Sequence, residues 1–170
     1  MMSKEQFAKL VQREKFLNPG DTACGAGREV FGTLLGSCVA ITLWHPQRRC
    51  GSICHFILPS MAVTGPADGR SAASAFKIMQ NDLARHAIPI RECVAKIFGG
   101  GRMFSSAELM PNIGDKNIHA ARQLITGAGM QVAAENVGGE GYRRLYFDVH
   151  SGEVWLKFDW VDDDQEDKVL

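Results

Sequence analysis

At 170 residues the chain is long enough for one domain with its own core. Hydrophobic residues make up 45% and charged residues 22%, and no apolar run approaches the roughly 18 residues of a membrane-spanning helix. Nineteen Lys and Arg balance nineteen Asp and Glu, so no net field gathers nucleic acid or an anionic membrane.

Residues 1–16 are polar and charged, without the apolar stretch and small-residue cleavage site of a secretory signal. They read as a polar leader on a cytoplasmic protein. The five cysteines, Cys24, Cys38, Cys50, Cys54 and Cys93, are odd in number and lack framework spacing, which suits free thiols in a reducing compartment.

Asn18-Pro19-Gly20-Asp21 is turn chemistry and sets the expected start of the folded domain. Residues 38–44 (CVAITLW) and 51–58 (GSICHFIL) are β-branched and aromatic runs, each closed by proline chemistry, and read as two strands joined by a short basic turn. From 70 to 86, Ala72, Ala75, Phe76, Met79 and Leu83 recur at helical spacing. A strand over 92–98 then runs into Gly99-Gly100-Gly101. A second helix is expected over 115–128, with Ile118, Ala121, Leu124, Ile125 and Ala128 on one face. Strands over 131–137, 142–148 and 153–158 follow, the last two joined by a hairpin at His150-Ser151-Gly152. Residues 159–170 hold six acids and one lysine and read as a solvated, disordered tail. Many strands with two clear helices predict an α+β layered sandwich in a single domain.

Gly36-Ser37-Cys38 stands where a glycine-bearing turn meets a strand, a position that presents a thiol together with backbone N–H groups for a developing oxyanion. A free thiol ionises near about 8.5, so a nucleophilic cysteine needs a partner, and His55 is the leading candidate. If the two runs pair as a hairpin, Cys38 and His55 meet at the same end of the pair. Alternation places Ile53, His55 and Ile57 on one face and Cys54 with Phe56 on the other, which makes Cys54 a core thiol. On pattern alone, packing roles for a strand cysteine and a strand histidine compete with this dyad.

A metal centre built from Cys50, Cys54, His55 and Cys38 is the rival constellation. Extended C-x3-C-H spacing opposes it by sending the two cysteines to one face and the histidine to the other. Gly99-Gly100-Gly101 lacks the Lys-Ser/Thr pair of a phosphate cradle and reads as a close-packed loop. His45, His86, His119 and His150 have no evident partner in the sequence.

LLGSCVAITLWHP (34–46) followed by GSICHFILP (51–59) resembles the CheD family of chemoreceptor glutamine deamidases. The resemblance continues through KIFGGGRMF (96–104), NIGDKNIHAARQLI (112–125) and VGGEGYRRLYFDVHSGEVWLK (137–157), and so spans about 17–158 as a CheD-like deamidase domain. It implies an α-β-β layered sandwich akin to the cytotoxic necrotizing factor deamidases. By the same resemblance the nucleophile falls on Cys38 and its histidine on His55. The family's third polar residue, a threonine just upstream of the cysteine, falls on Thr33, with Gly32 six residues before Cys38 as the alternative register. Ser37 and Cys38 are the oxyanion candidates.

The implied activity is hydrolysis of glutamine side chains on methyl-accepting chemotaxis receptors to glutamate and ammonia, with methylesterase activity also open. No cofactor or metal is called for. The implied partners are the cytoplasmic helices of those receptors and a CheC-type phosphatase, and a monomer fits the family. The alternative reading is an adaptor that binds both partners with little catalysis.

Overall fold

The computed structural model describes residues 2–61, 68–103 and 112–160. Nine strands and three α-helices follow one another as α1 (Lys4–Gln12), β1 (Glu14–Phe16), β2 (Thr22–Ala26), β3 (Val30–Leu35), β4 (Val39–His45), β5 (Cys50–Cys54), α2 (Ala72–Arg85), β6 (Val94–Gly99), α3 (Ile113–Gly127), β7 (Val132–Val137), β8 (Gly141–Asp148) and β9 (Val154–Trp160). The strands form a five-stranded sheet in the order β2-β5-β4-β6-β7 and a four-stranded sheet in the order β1-β3-β8-β9.

The β4–β5 hairpin is the one read from the sequence, paired antiparallel with Thr42 opposite Ile53 and His45 opposite Cys50. A bridge between Val39 and Phe56 extends the pairing past the end of β5. β4 also pairs antiparallel with β6, while β6 and β7 run parallel and are joined by α3 as a crossover.

Side-chain alternation sorts the core into two layers. On one face of the five-stranded sheet Val39, Ile41, Leu43, Cys50, Cys54, Phe56, Ala95 and Ile97 pack under the apolar stripes of α2 and α3. On the other face Ala40, Ile53 and Phe98 meet Phe31, Leu35, Leu145 and Phe147 of the four-stranded sheet. With α2 and α3 as the helical layer, the order is helices, sheet, sheet, as expected. Each fully buried large side chain, such as Met79, Leu83 or Phe147, contributes about 1.5–3 kcal/mol of transfer free energy to this arrangement. The Trp44 indole N–H donates to the Val149 carbonyl at 2.6 Å and ties the two sheets together at one end.

Ordered structure begins before the turn at Asn18. Ser3 and Gln6 form a reciprocal capping box at the start of α1, and Phe7 packs edge-to-face on Tyr146 with ring centroids 5.3 Å apart. β1 then pairs in parallel with β3. The polar character of residues 1–16 reflects an element that lies on the outer face of the four-stranded sheet and buries little more than Leu10. β2 and β3, in a glycine-bearing stretch without a long apolar run, also lie outside the strands expected from the sequence. At the other end Asp159 and Trp160 complete β9, and residues 161–170 of the expected tail lie outside the described residues.

Candidate active site

Cys38 immediately precedes β4. Since Val39 is bridged to Phe56 and Thr42 is paired with Ile53, Ala40 stands opposite His55 and Cys38 opposite Ile57. Cys38 and His55 are thus diagonal neighbours on one face, a spacing of about 7–8 Å between Cα atoms. That face is the inter-sheet one: Cys38 is half-buried against the inter-sheet cluster, while Cys54 and Phe56 belong to the helix-side core.

His55 is buried and held from three directions. Its backbone N–H donates to the Asp21 carbonyl at 3.0 Å, and its own carbonyl accepts from Gly20 at 2.7 Å. The Asn18–Asp21 turn therefore lies along the histidine as an edge. The imidazole Nδ1 is 2.6 Å from the hydroxyl of Thr33, which is fully buried on β3 of the opposite sheet. Thr33 sits within β3, and the structure brings it to His55 across the sheet interface. Gly32, the alternative register, has another role: a Cβ there would collide with the carboxylate of Glu14.

The Thr33 hydroxyl also donates to the Leu17 carbonyl at 2.9 Å. A hydroxyl has one proton, so with that proton on Leu17 the contact with His55 must be Nδ1–H donating to Oγ1. The tautomer that follows leaves the Nε2 lone pair free, and Nε2 is buried with no hydrogen-bond partner among the described residues. An unpartnered buried ring nitrogen costs stability, about 1–3 kcal/mol, and is a frequent mark of a functional group.

Burial lowers the His55 pKa from 6.5 to about 4, with Asp21 partly opposing the shift. Burial also raises the Cys38 thiol, offset in part by its own backbone N–H. At neutral pH the resting pair is thus a neutral thiol and a neutral imidazole, rather than a preformed thiolate and imidazolium. Cys24, Cys54 and Cys93 are all pushed up to about 12 by burial first, which makes them poor nucleophiles.

The backbone around Cys38 is fastened by the triple glycine and by two residues that the sequence does not single out, Asn117 and Arg143. Asn117, fully buried on α3, donates through its amide nitrogen to the Ser37 carbonyl at 3.0 Å and the Ile57 carbonyl at 2.9 Å, closing the end of the hairpin. The Cys38 carbonyl accepts from Gly100, and the Gly36 carbonyl from Gly101. Gly99 and Gly100 have φ of 104° and 68°, and a Cβ on Gly99 would strike the Cys38 carbonyl, so the triple glycine is a close-packed loop under the cysteine. Buried Arg143 holds the far side of that loop, donating to Gly138 at 2.7 Å and to Asn136 at 2.8 Å. The N–H groups of Ser37 and Cys38 donate to no backbone carbonyl among the described residues. An asparagine spaced like a core residue on an amphipathic helix was the available signal for Asn117, since a buried polar side chain needs partners.

The rival metal set does not assemble. Cys54 and His55 point to opposite faces of the sheet, so one ion cannot collect them. His45 and His150 acquire partners only through the fold: His45 Nε2 lies 2.9 Å from Glu92 while Nδ1 accepts from the Arg48 amide, and His150 meets the Arg49 guanidinium.

Residues 57–158 match a family model described as CheD chemotactic sensory transduction. Among curated proteins, the chain is 41% identical over 152 residues to a protein of Dechloromonas aromatica (strain RCB) named as a probable chemoreceptor glutamine deamidase, covering 85% of this chain and 87% of that one. It is 42% identical over 147 residues to a protein of Albidiferax ferrireducens bearing the same description, with 82% and 84% covered. A third so named, from Pseudomonas savastanoi pv. phaseolicola, is 40% identical over 149 residues, with 85% and 84% covered.

Proposed function

The chain belongs to the CheD family, and from that premise and the Thr33–His55–Cys38 geometry we propose that it is a cysteine-dependent protein-glutamine deamidase acting on methyl-accepting chemotaxis receptors. The single observation that carries the chemistry is the buried His55 ring, whose Nδ1 is taken by Thr33 and whose Nε2 is left unpartnered on the face it shares with Cys38.

The reaction begins with two neutral groups. As the Cys38 sulfur attacks the glutamine carboxamide carbon, its proton passes to His55 Nε2, and the growing positive charge on the ring is met by Nδ1–H on the Thr33 hydroxyl. The tetrahedral oxyanion is received by the N–H groups of Ser37 and Cys38. His55 then protonates the departing nitrogen, ammonia leaves, and a thioester to the receptor remains. Water attacks that thioester while giving its proton to His55, and collapse of the second tetrahedral intermediate releases glutamate and returns the proton to Cys38.

A glutamate methyl ester would enter the same acyl-enzyme with methanol as leaving group, so methylesterase activity belongs to the same proposal. The helix-sheet-sheet layering is likewise the support for kinship with the cytotoxic necrotizing factor deamidases. No helix of the described residues is long and apolar enough to cross a membrane, and the substrate surface we assign is the cytoplasmic helices of the receptors.

The test is peptide mapping of a receptor cytoplasmic fragment after incubation with wild type and Cys38→Ala. Glutamine-to-glutamate conversion is expected with wild type alone, with the variant slower by at least about a thousandfold and its fold and receptor binding retained. Receptor and CheC-type phosphatase binding without conversion by wild type would replace the enzyme with the adaptor reading.

A further inference from the structure

β5 carries chemistry at both ends. His55 follows its last residue, and its first residue, Cys50, belongs to a second cluster on the helix side of the sheet. There the ligand atoms of Cys24 on β2, Cys50 on β5 and His86 at the end of α2 all lie within 4.8 Å of one another. The register explains the sulfur pair: Cys24 stands opposite Ser52 and Cys50 opposite Ala26, which makes the two cysteines diagonal neighbours on one face. His86 caps α2, whose buried stripe from Ala72 to Leu83 fixes where that helix ends.

We propose that Cys24, Cys50 and His86 form a binding site for a soft or borderline divalent cation of the zinc class, with two thiolates and one imidazole as ligands and a fourth position open to solvent. Zinc takes sulfur at about 2.3 Å and nitrogen at about 2.0–2.1 Å, so tetrahedral coordination sets the three donors about 3.5–3.8 Å apart. Reaching this from within 4.8 Å needs side-chain rotation rather than backbone movement, and the exposed His86 ring is free to supply it. Mixed sulfur and nitrogen donors select zinc and similar ions over magnesium or calcium.

The local field favours a cation at Cys24, where the carboxylates of Asp82 and Glu29 act, and is opposed at Cys50 by Arg48. Binding releases the thiol protons. The site joins β2, β5 and the end of α2, so the bound ion clips the outer edge of the five-stranded sheet to the helical layer. It stands at the opposite end of β5 from His55, about 17 Å along the strand, and is independent of the deamidation chemistry.

The experiment is titration of the reduced full-length protein with cobalt(II) as the spectroscopic stand-in for zinc. The expected result is one equivalent bound, with a thiolate-to-cobalt charge-transfer band and tetrahedral d–d bands, reversed by zinc. Cys38→Ala should keep the bands, and Cys24→Ser and Cys50→Ser should lose the charge-transfer intensity. The exposed His86→Ala change, which threatens the fold least, should weaken binding by at least the 10- to 100-fold (order of magnitude) that loss of an outer-shell partner alone costs, while deamidation stays at the wild-type rate. Absence of the charge-transfer band in wild type overturns the proposal, as does a band that survives both cysteine changes. A Cys24–Cys50 disulfide in the isolated protein, with no cobalt binding after reduction, would overturn it in favour of a redox pair.

Discussion

The two faces of the five-stranded sheet are built from neighbouring residues of the same strands and do opposite work. On the helix side β4 and β5 present Val39, Ile41, Leu43, Cys54 and Phe56 to α2 and α3, and cohesion there is apolar packing. On the inter-sheet side the same hairpin presents His55, with Thr33 of the facing sheet bonded to it and Cys38 diagonal to it, beside an apolar cluster that includes Phe31, Leu35, Ile53 and Phe147. A buried imidazole with one unpartnered nitrogen lowers stability, and on the helix side the Asn117 Oδ1 is likewise buried without a partner among the described residues. The difference teaches that one face of this sheet is held mainly by apolar packing, while the other sets a titratable group with an unpartnered nitrogen among the residues proposed to react.

The largest expected break in that comparison is His55→Gln. Deamidation should fall by about 10²- to 10⁴-fold as the general base is lost. The same variant tests the titration. The unfolded histidine binds its proton near 6.5 and the folded one near 4, so the unfolded state holds more protons between those values and stability falls as pH drops through them. Stability from this group is complete above 6.5, and wild type should lose on the order of 3 kcal/mol by pH 4. Denaturant melts across that window should show a shallower slope for His55→Gln, and equal slopes would remove His55 as the titrating group.

Met79→Ala probes the other face. Truncating a fully buried helix-side residue should cost about 2–5 kcal/mol in equilibrium unfolding while leaving the turnover of each folded molecule unchanged. A matching fall in turnover would show the two faces to be coupled.

Thr33→Val is the finest test. It keeps the volume but leaves His55 Nδ1 and the Leu17 carbonyl without a partner, for about 1–3 kcal/mol of stability. Loss of the bond that strengthens as the ring becomes charged should lower kcat/KM by about 10- to 100-fold. Thr33→Ser restores the hydroxyl and should recover most of it. A valine variant with wild-type kcat would make Thr33 structural only.

The sequence by itself determined the β4–β5 hairpin, both long helices and the closing hairpin, because each rests on local periodicity, and the alternation along 51–58 already assigned His55 and Cys54 to opposite faces. It carried the Cys38–His55 pairing as well, since a hairpin fixes which residues share an end. Thr33 could be singled out through family resemblance, but its place in a strand, its bond to His55 and the tautomer that follows come from the packing of one sheet on the other. Asn117, the packing of Phe7 on Tyr146 and the Cys24–Cys50–His86 cluster were decided by tertiary structure for the same reason. Their partners lie 80 residues away along the chain for Asn117 and Ser37, and contacts between distant segments leave no period in the sequence to read.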